Sequence, residues 1–550
     1  MTSPGAQLDS NGFRRWIADL LVELCAIDTS PRSDVAAMRE AESAAFAILE
    51  RELARLSFPG ARIERRAINP AIQHHPFYSQ LHQTKTPALP EGLTAEAAYA
   101  GRGNLIYQMP GLSDGPGTAL NAHIDVIAPY LPPKQEDGTV WGRGACDDKA
   151  GVVAILAALR ALHACGQRPA RPVLAMFVIE EEPGGNGSLS LAIDRELRAL
   201  YERVVVLECT ANQIHPANRG AVWYEAVLKA DVPLLELAAF VIGELEDEGR
   251  AIKAESRHPL FPQRPVQTCH GILGPWGEHP SRICGEAAFV IRFDRPPAPA
   301  AEDLARDCLA SALAEYVGRY GDKTHIRDGA TGRPKVARHY DLRREGATLL
   351  VEVHGAAGHM GSIEENDGAI TKLATLVRAL VRSKAQLAAR AGCGLRLELA
   401  RAPEGDALCL EGGQGFLPTH TMDEITARMR HAAERGAETY LRRIGRPRPG
   451  AEVVRVGYDK LHNAAFDGDP DSPAMRRALA AARECGLLQR EIVGWTVSCD
   501  ARLFALEYPG MPVLTFGPGA VEHAHSDHEH VRVADVAQAA QWIAAYILQG

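Results

Sequence analysis

Five separated stretches of the chain each close an apolar run with a side chain that can bind a divalent cation: His123 and Asp125, Asp147, Glu181 and Glu182, Glu208, and His525. Imidazole nitrogens and carboxylate oxygens suit zinc and its neighbours, and this set holds donors enough for a two-metal hydrolytic site. In TALNAHIDV the run climbs into His123. Asp125, two places on along the same side, can brace the imidazole and fix its tautomer, although the spacing also suits ordinary polarity at a strand end. In WGRGACDDKAG, Asp147 sits in a turn that Gly142, Gly144 and Gly151 allow to fold tightly, so both its oxygens can stay open and bridge two ions. Asp147 and Asp148 also stand where the helix GVVAILAALRALHACG begins, and either can cap it. PVLAMFVIEEEPGGNGS is a buried-strand pattern running into three glutamates, which need a cation among them unless they form a solvated acidic turn. RVVVLECTAN ends on Glu208, and MPVLTFGPGAVEHAHSDHEHV ends in a histidine cluster.

Short strand-like runs that each deliver a ligand at their ends imply an α/β fold with a mostly parallel sheet, whose carboxyl edge collects the site. Near the start, FRRWIADLLVELCAI reads as an amphipathic helix with Arg14 and Arg15 on a solvated face.

In order, HID, GRGACDDKAG, EEEPGGNGS, LECTAN and AHSDHEHV resemble the dinuclear-zinc amidohydrolase and peptidase family of acetylornithine deacetylase, succinyl-diaminopimelate desuccinylase, aminoacylase, glutamate carboxypeptidase and the carnosine-type dipeptidases. The resemblance covers residues 10 to 228 and 463 to 550. It implies that His123, Asp147 and Glu208 hold one metal and that Asp147, Glu182 and His525 hold the other. By the same resemblance Glu181 is the general base, Asp125 supports the first histidine, and His359 in VEVHGAAGHMGS reaches over the substrate to steady an oxyanion. Two divalent ions, zinc first and cobalt or manganese as alternatives, would acidify a bridging water for attack on an amide carbonyl. The expected activity is hydrolysis of a dipeptide or an N-acyl amino acid. Deamination or another carbon–nitrogen cleavage is the alternative, and a non-catalytic metal-binding homologue is a third reading. Asp148, directly after the bridging aspartate, resembles the dipeptidase branch. The last motif departs from the pattern, with His528 where Asn or Asp usually stands, so His523 remains an alternative to His525.

The resemblance implies a catalytic domain in two parts, residues 1–228 and 463–550, interrupted by an enlarged lid or dimerisation domain at residues 229–462. Within the insertion, TCHGILGPWGEHPSRICGEAAFVIRF reads as strand, loop and strand before the helix DLARDCLASALAEYV. LLVEVHGAAGHMGS leads into the helix GAITKLATLVRALV, and CLEGGQGFLPTHTMDEITARMRHAAERG gives a further strand and helix. Two such layers fit either a homodimer or a monomer whose lid completes its own site. Residues 63 to 103 read as another insertion, whose His74 and His75 are not expected to be ligands. Arg502 in SCDARLFA, Arg282 and Arg292 are the candidates to clamp a substrate carboxylate.

The 550 residues are 46% hydrophobic and carry a formal net charge of −9 without a basic stripe, which argues against a nucleic-acid partner and for a small-molecule substrate. No stretch is apolar enough to span a membrane, and charge interrupts the N-terminal run where a secretory signal needs an apolar core. Eleven cysteines without paired spacing suggest free thiols and a cytoplasmic location. Cys146 and Cys209, beside proposed ligands, read as small packing residues.

Overall fold

The computed structural model describes residues 3–549 apart from 87, 328–331, 363–366, 404 and 459–461. Its central sheet has six strands in the order Arg62–Ala67, Gly103–Met109, Val173–Val178, Gly117–His123, Tyr201–Leu207 and Val513–Phe516. The last four run parallel, and the first two are antiparallel additions at one edge. Gly117–His123 and Val173–Val178 are buried along their whole length, so they read as unbroken apolar runs, without the alternation of a half-exposed strand. The edge strand RIERRA carries charges, which discourage pairing with another chain.

Helices Asn11–Cys25, Lys149–Ala164 and Val533–Leu548 share one core on one face of the sheet, while Asn186–Ala192 and Ala501–Glu507 join a second core on the other. Lys149–Ala164 is buried on every side through its first eleven residues, which explains its apolar content beyond a single stripe. Each large aliphatic side chain it buries contributes about 1.5–3 kcal/mol.

Between the strands Tyr201–Leu207 and Val513–Phe516 the chain builds two further antiparallel sheets. The first runs in the order Thr268–Leu273, Leu408–Phe416, Gly220–Leu228, Val454–Gly457, with His462–Asn463 also pairing to Gly220–Leu228. The second runs Tyr340–Glu345, Thr348–His354, Glu286–Phe293, Leu395–Leu399. Helices Leu234–Glu255, Pro299–Tyr320, Ala369–Arg382 and Met422–Arg443 pack with both sheets into one shared core. One boundary differs from the expected 229. Gly220–Leu228 pairs along its length with Leu408–Phe416, so it belongs to the inserted sheets and the insertion starts near residue 220. Its apolar sequence continues the preceding strand pattern, and nothing local tells which sheet it joins.

Two short ribbons complete the strand pairings, one joining the crossings between the halves and one within the insertion. Ala217–Asn218, where the chain leaves the central sheet, pairs with Phe466–Asp467, where it returns. Arg282–Ile283 pairs with Gly358–His359, setting Arg282 opposite His359. Among the described residues no helix is long and apolar enough to cross a membrane.

His215 lies on the outgoing crossing. Its backbone exchanges two 2.9 Å hydrogen bonds with Thr515, and its ring Nδ1 donates to the Val493 carbonyl at 2.9 Å. Burial pushes its pKa down to about 4. A histidine with a depressed folded-state pKa contributes stability that is complete above its usual value of 6.5 and lost as pH falls toward 4. Denaturant titrations across that window should show a loss of about 3 kcal/mol that His215→Gln removes. An unchanged pH slope in the variant would assign the loss to other groups.

Candidate metal centre

Each proposed ligand stands where a regular element ends. His123 is the last residue of its strand, Glu208 directly follows Tyr201–Leu207, and Asp147 precedes the helix Lys149–Ala164. Glu181 and Glu182 follow Val173–Val178 through Glu180, whose φ of 64° turns the chain sharply, and His525 has a φ of 58° in the loop after Val513–Phe516. These positions converge. Asp147 Oδ1 lies 3.2 Å from His123 Nε2, and its Oδ2 lies 3.3 Å from His525 Nε2. Glu208 approaches His123 Nε2 at 4.0 Å, and Glu182 Oε1 lies 3.1 Å from His525 Nε2. His123, Asp147 and Glu208 thus form one compact triad of ligand atoms, and Asp147, Glu182 and His525 form a second.

The charge balance of this cluster fits two cations. Glu181 and Glu208 are pushed well above the usual carboxylate range, first by burial and then by neighbouring carboxylates, among them Asp500 against Glu181 and Asp147 against Glu208. Asp125 is pushed to about 7, chiefly by burial. His525 rises to about 10: its burial opposes the charge, but Glu182 and Asp147 outweigh it. Two imidazoles are too few for this many buried acids, and two divalent ions among hard oxygen and nitrogen donors would restore the balance.

Supporting groups hold the ligands in place. Asp125 does so differently from the expected brace. The His123 Nδ1–H donates to the Asp125 backbone carbonyl at 2.9 Å, while the Asp125 carboxylate, 3.6 Å from that nitrogen, accepts the backbone N–H groups of Glu181 and Glu182 at 3.1 and 3.0 Å. It therefore positions the glutamate turn as much as the imidazole. Glu529 accepts the N–H groups of Gly144, Cys146 and Asp147 at 2.9, 3.1 and 3.1 Å and pairs with the buried Arg143, fixing the Asp147 turn. Asp148 occupies the N-cap position without a side-chain cap bond, so the capping alternative fails there. Glu180, first of the three glutamates, is neutralised by Arg102 at 2.5 Å, which also pairs with Glu42. The compensation expected from a metal thus comes, for this one residue, from an arginine at the end of the 63–103 insertion. His75 in that insertion pairs with Glu507.

His359 comes from the insertion and packs against His525 with ring centroids 4.5 Å apart and ring planes tilted by 60°. Its Nδ1 accepts the Gly361 N–H at 2.9 Å, so the proton of the neutral ring sits on Nε2. Burial and the nearby His525 hold its pKa well below the usual value. His523 instead packs against His530 with ring centroids 4.1 Å apart and belongs to neither triad. The thiols of the buried Cys146 and Cys209 hydrogen-bond to one another, consistent with packing.

The three arginines read as carboxylate clamps need correction. Arg502 is buried and donates to the Cys499 and Gly184 carbonyls at 2.9 and 2.8 Å, which ties down the glycine loop. Arg282 donates to the His525 carbonyl at 3.0 Å and pairs with Asp527 and Glu278. Arg292 is exposed on the far sheet and bound to Glu398. None of the three lines the cleft that holds Asp147, Glu181, Glu182, Glu208, His359 and His525, whereas Arg219 does. The residue type alone could not tell these arginines apart, because their partners come from distant parts of the chain.

Residues 119–549 match the family model described as Peptidase family M20/M25/M40. A probable carboxypeptidase of Trichophyton verrucosum is 33% identical over 128 residues, covering 21% of this chain and 27% of that protein. The match thus spans about a quarter of that curated relative's length. The solved structure of human carnosine dipeptidase 1 superposes with a TM-score of 0.59 at 14% identity, covering 99% of this chain and 98% of that one. A di-peptidase from Saccharomyces cerevisiae superposes with a TM-score of 0.55 at 11% identity, covering 99% and 97%. At these identities the two structures establish a shared mixed α/β fold.

Calorimetric titration of metal-free protein with zinc, cobalt or manganese should find two sites per chain. Because Asp147 is common to both triads, Asp147→Asn should weaken both sites, whereas Glu208→Gln should weaken one. An Asp147→Asn variant that keeps one full-affinity site would remove the bridge.

Proposed function

The chain belongs to peptidase family M20/M25/M40, and on that basis we propose that it is a metal-dependent hydrolase cleaving an amide or peptide bond in a small substrate, a dipeptide or an N-acyl amino acid. The observation that carries this reading is Asp147, whose two oxygens face His123 and His525 within two triads of ligand atoms beside Glu181.

His123, Asp147 and Glu208 would hold one divalent cation and Asp147, Glu182 and His525 the other, with zinc the first choice and cobalt or manganese compatible with the same donors. Bound there, the pair would supply Lewis acidity, polarising a carbonyl and lowering the pKa of a water. Glu181 takes the proton of the attacking water and delivers it to the leaving nitrogen, so one carboxylate serves as base and then as acid. Its elevated pKa in the protein alone favours holding that proton, and positive charge nearby would draw it back toward the range of a base. His359 offers its Nε2–H to the carbonyl oxygen as negative charge develops there. Asp125 and Glu529 fix the backbone on which these groups ride.

The insertion, residues 220 to 457 with its returning strand, is the lid of this site. The 4.5 Å ring contact of His359 with His525 within one chain supports a protein that completes its own centre, without a histidine from a second copy.

Release of free amine from a panel of dipeptides and N-acyl amino acids, with metal-free enzyme titrated with each ion, tests the activity. Metal-loaded protein that cleaves none of them would overturn it. Glu181→Gln should keep both metals and lower kcat by at least ~100-fold. His359→Ala should slow turnover and keep metal content. Mixing these two variants should recover no activity if each chain is complete, whereas recovery toward a quarter of wild type would show that His359 acts across a dimer.

A further inference from the structure

His359 rides on a loop that leaves the strand Thr348–His354 and returns at Asp367, just ahead of the helix Ala369–Arg382. Backbone pairing holds both its tip and its neck. At the tip, Gly358–His359 pairs with Arg282–Ile283, and the Met360 N–H donates to the Ser281 carbonyl at 3.0 Å. At the neck, Ala356 and Asp367 exchange hydrogen bonds of 2.9 and 3.1 Å. The two ends lie so close that a Cβ at Gly355 would stand 2.1 Å from the Asp367 carbonyl oxygen.

A buried ammonium crosses the same neck. Lys372 Nζ, from the first turn of the helix, donates to the His354 carbonyl on the outgoing side and to Asp367 Oδ2 on the returning side, each at 2.5 Å. Tyr316, on the neighbouring helix Pro299–Tyr320, donates its hydroxyl to Asp367 Oδ1 at 2.5 Å and sets its ring 5.3 Å from Lys372 Nζ. His339 Nδ1 approaches Asp367 Oδ2 at 3.8 Å from a third side. Lys372 is 0% exposed and Asp367 1%, and neither is among the described residues lining the metal cleft. Desolvation offsets much of the attraction in such a pair, so it contributes little net stability. Its directional bonds do restrict where the two ends of the loop can lie.

We propose that Lys372 and Asp367, with Tyr316, are positioning residues for His359: their bonds across the loop neck set where its Nε2–H points. The role of that donor at a developing oxyanion rests on the proposed function; the tie across the neck does not.

The test removes both charges together, in Lys372→Met/Asp367→Asn, so that no lone ion is left buried. With the zinc-loaded full chain and a cleaved dipeptide, kcat should fall by ~10-fold or more, as expected for a misplaced reacting group, at unchanged KM and metal content. In a His359→Ala background the same pair should leave kcat unchanged, because residues that act through one group do not add. A loss that persists in that background, or a wild-type kcat, would overturn the proposal. Should the double variant not fold, Tyr316→Phe, which removes one bond to Asp367, is read by the same cycle, with a smaller loss that again vanishes without His359. NMR of isotope-labelled histidine reads the tie without turnover: the His359 ring signals, assigned by their absence in His359→Ala, should shift or broaden in the variant. If no substrate is cleaved, shifted signals leave the tie standing while the hydrolase reading fails. Unmoved signals overturn the tie.

Discussion

The carboxylate of Asp147, held between the imidazoles of His123 and His525, is the contact on which the rest of the arrangement turns. Its two oxygens face different parts of the chain, so the end of one strand, the start of a helix and a loop some 380 residues away must meet within a few ångströms. That demand accounts for much of the surrounding structure. Glu529, four residues beyond His525, accepts three consecutive-turn amides around Asp147 and so ties the histidine loop to the aspartate turn with the same residue. Arg282 holds the His525 carbonyl from the other side.

The electrostatic layout is lopsided in a purposeful way. The clustered acids Glu181, Glu182 and Glu208 are left to one another and to the two imidazoles, while Glu180 has Arg102 and Glu529 has Arg143. The insertion adds a neutral donor at His359, and Arg219, the residue just before it, adds a cation, so this side of the cleft has the opposite character from the acidic wall.

The convergence of His123, Asp147, Glu182, Glu208 and His525 was legible because each closes its own apolar run, and strand ends of a parallel sheet gather at one edge whatever the rest of the chain does. The strands and helices of the insertion were legible for the same local reason. Arginine roles were not: Arg502, Arg282 and Arg292 are distinguished only by partners at Gly184, Asp527 and Glu398, contacts that no local pattern encodes. Arg219 escaped notice because what sets it apart is the lack of a carboxylate partner among the described residues, a property of the folded state. The start of the insertion was misjudged because Gly220–Leu228 has a strand's sequence in either sheet, and pairing with Leu408–Phe416 decides which.

The crossings between the two halves lie side by side, Ala217–Asn218 against Phe466–Asp467, and are stitched together as a ribbon. Two separate tethers would let the insertion twist over the sheet. A paired strap resists shear and torsion, and the movement it leaves is bending about one line, as a book opens along its spine. Arg219 directly follows that strap, its backbone N–H bonded to the Trp495 carbonyl at 3.2 Å, whereas His359 belongs to the insertion, so bending about that line would move the imidazole and leave the guanidinium near the spine.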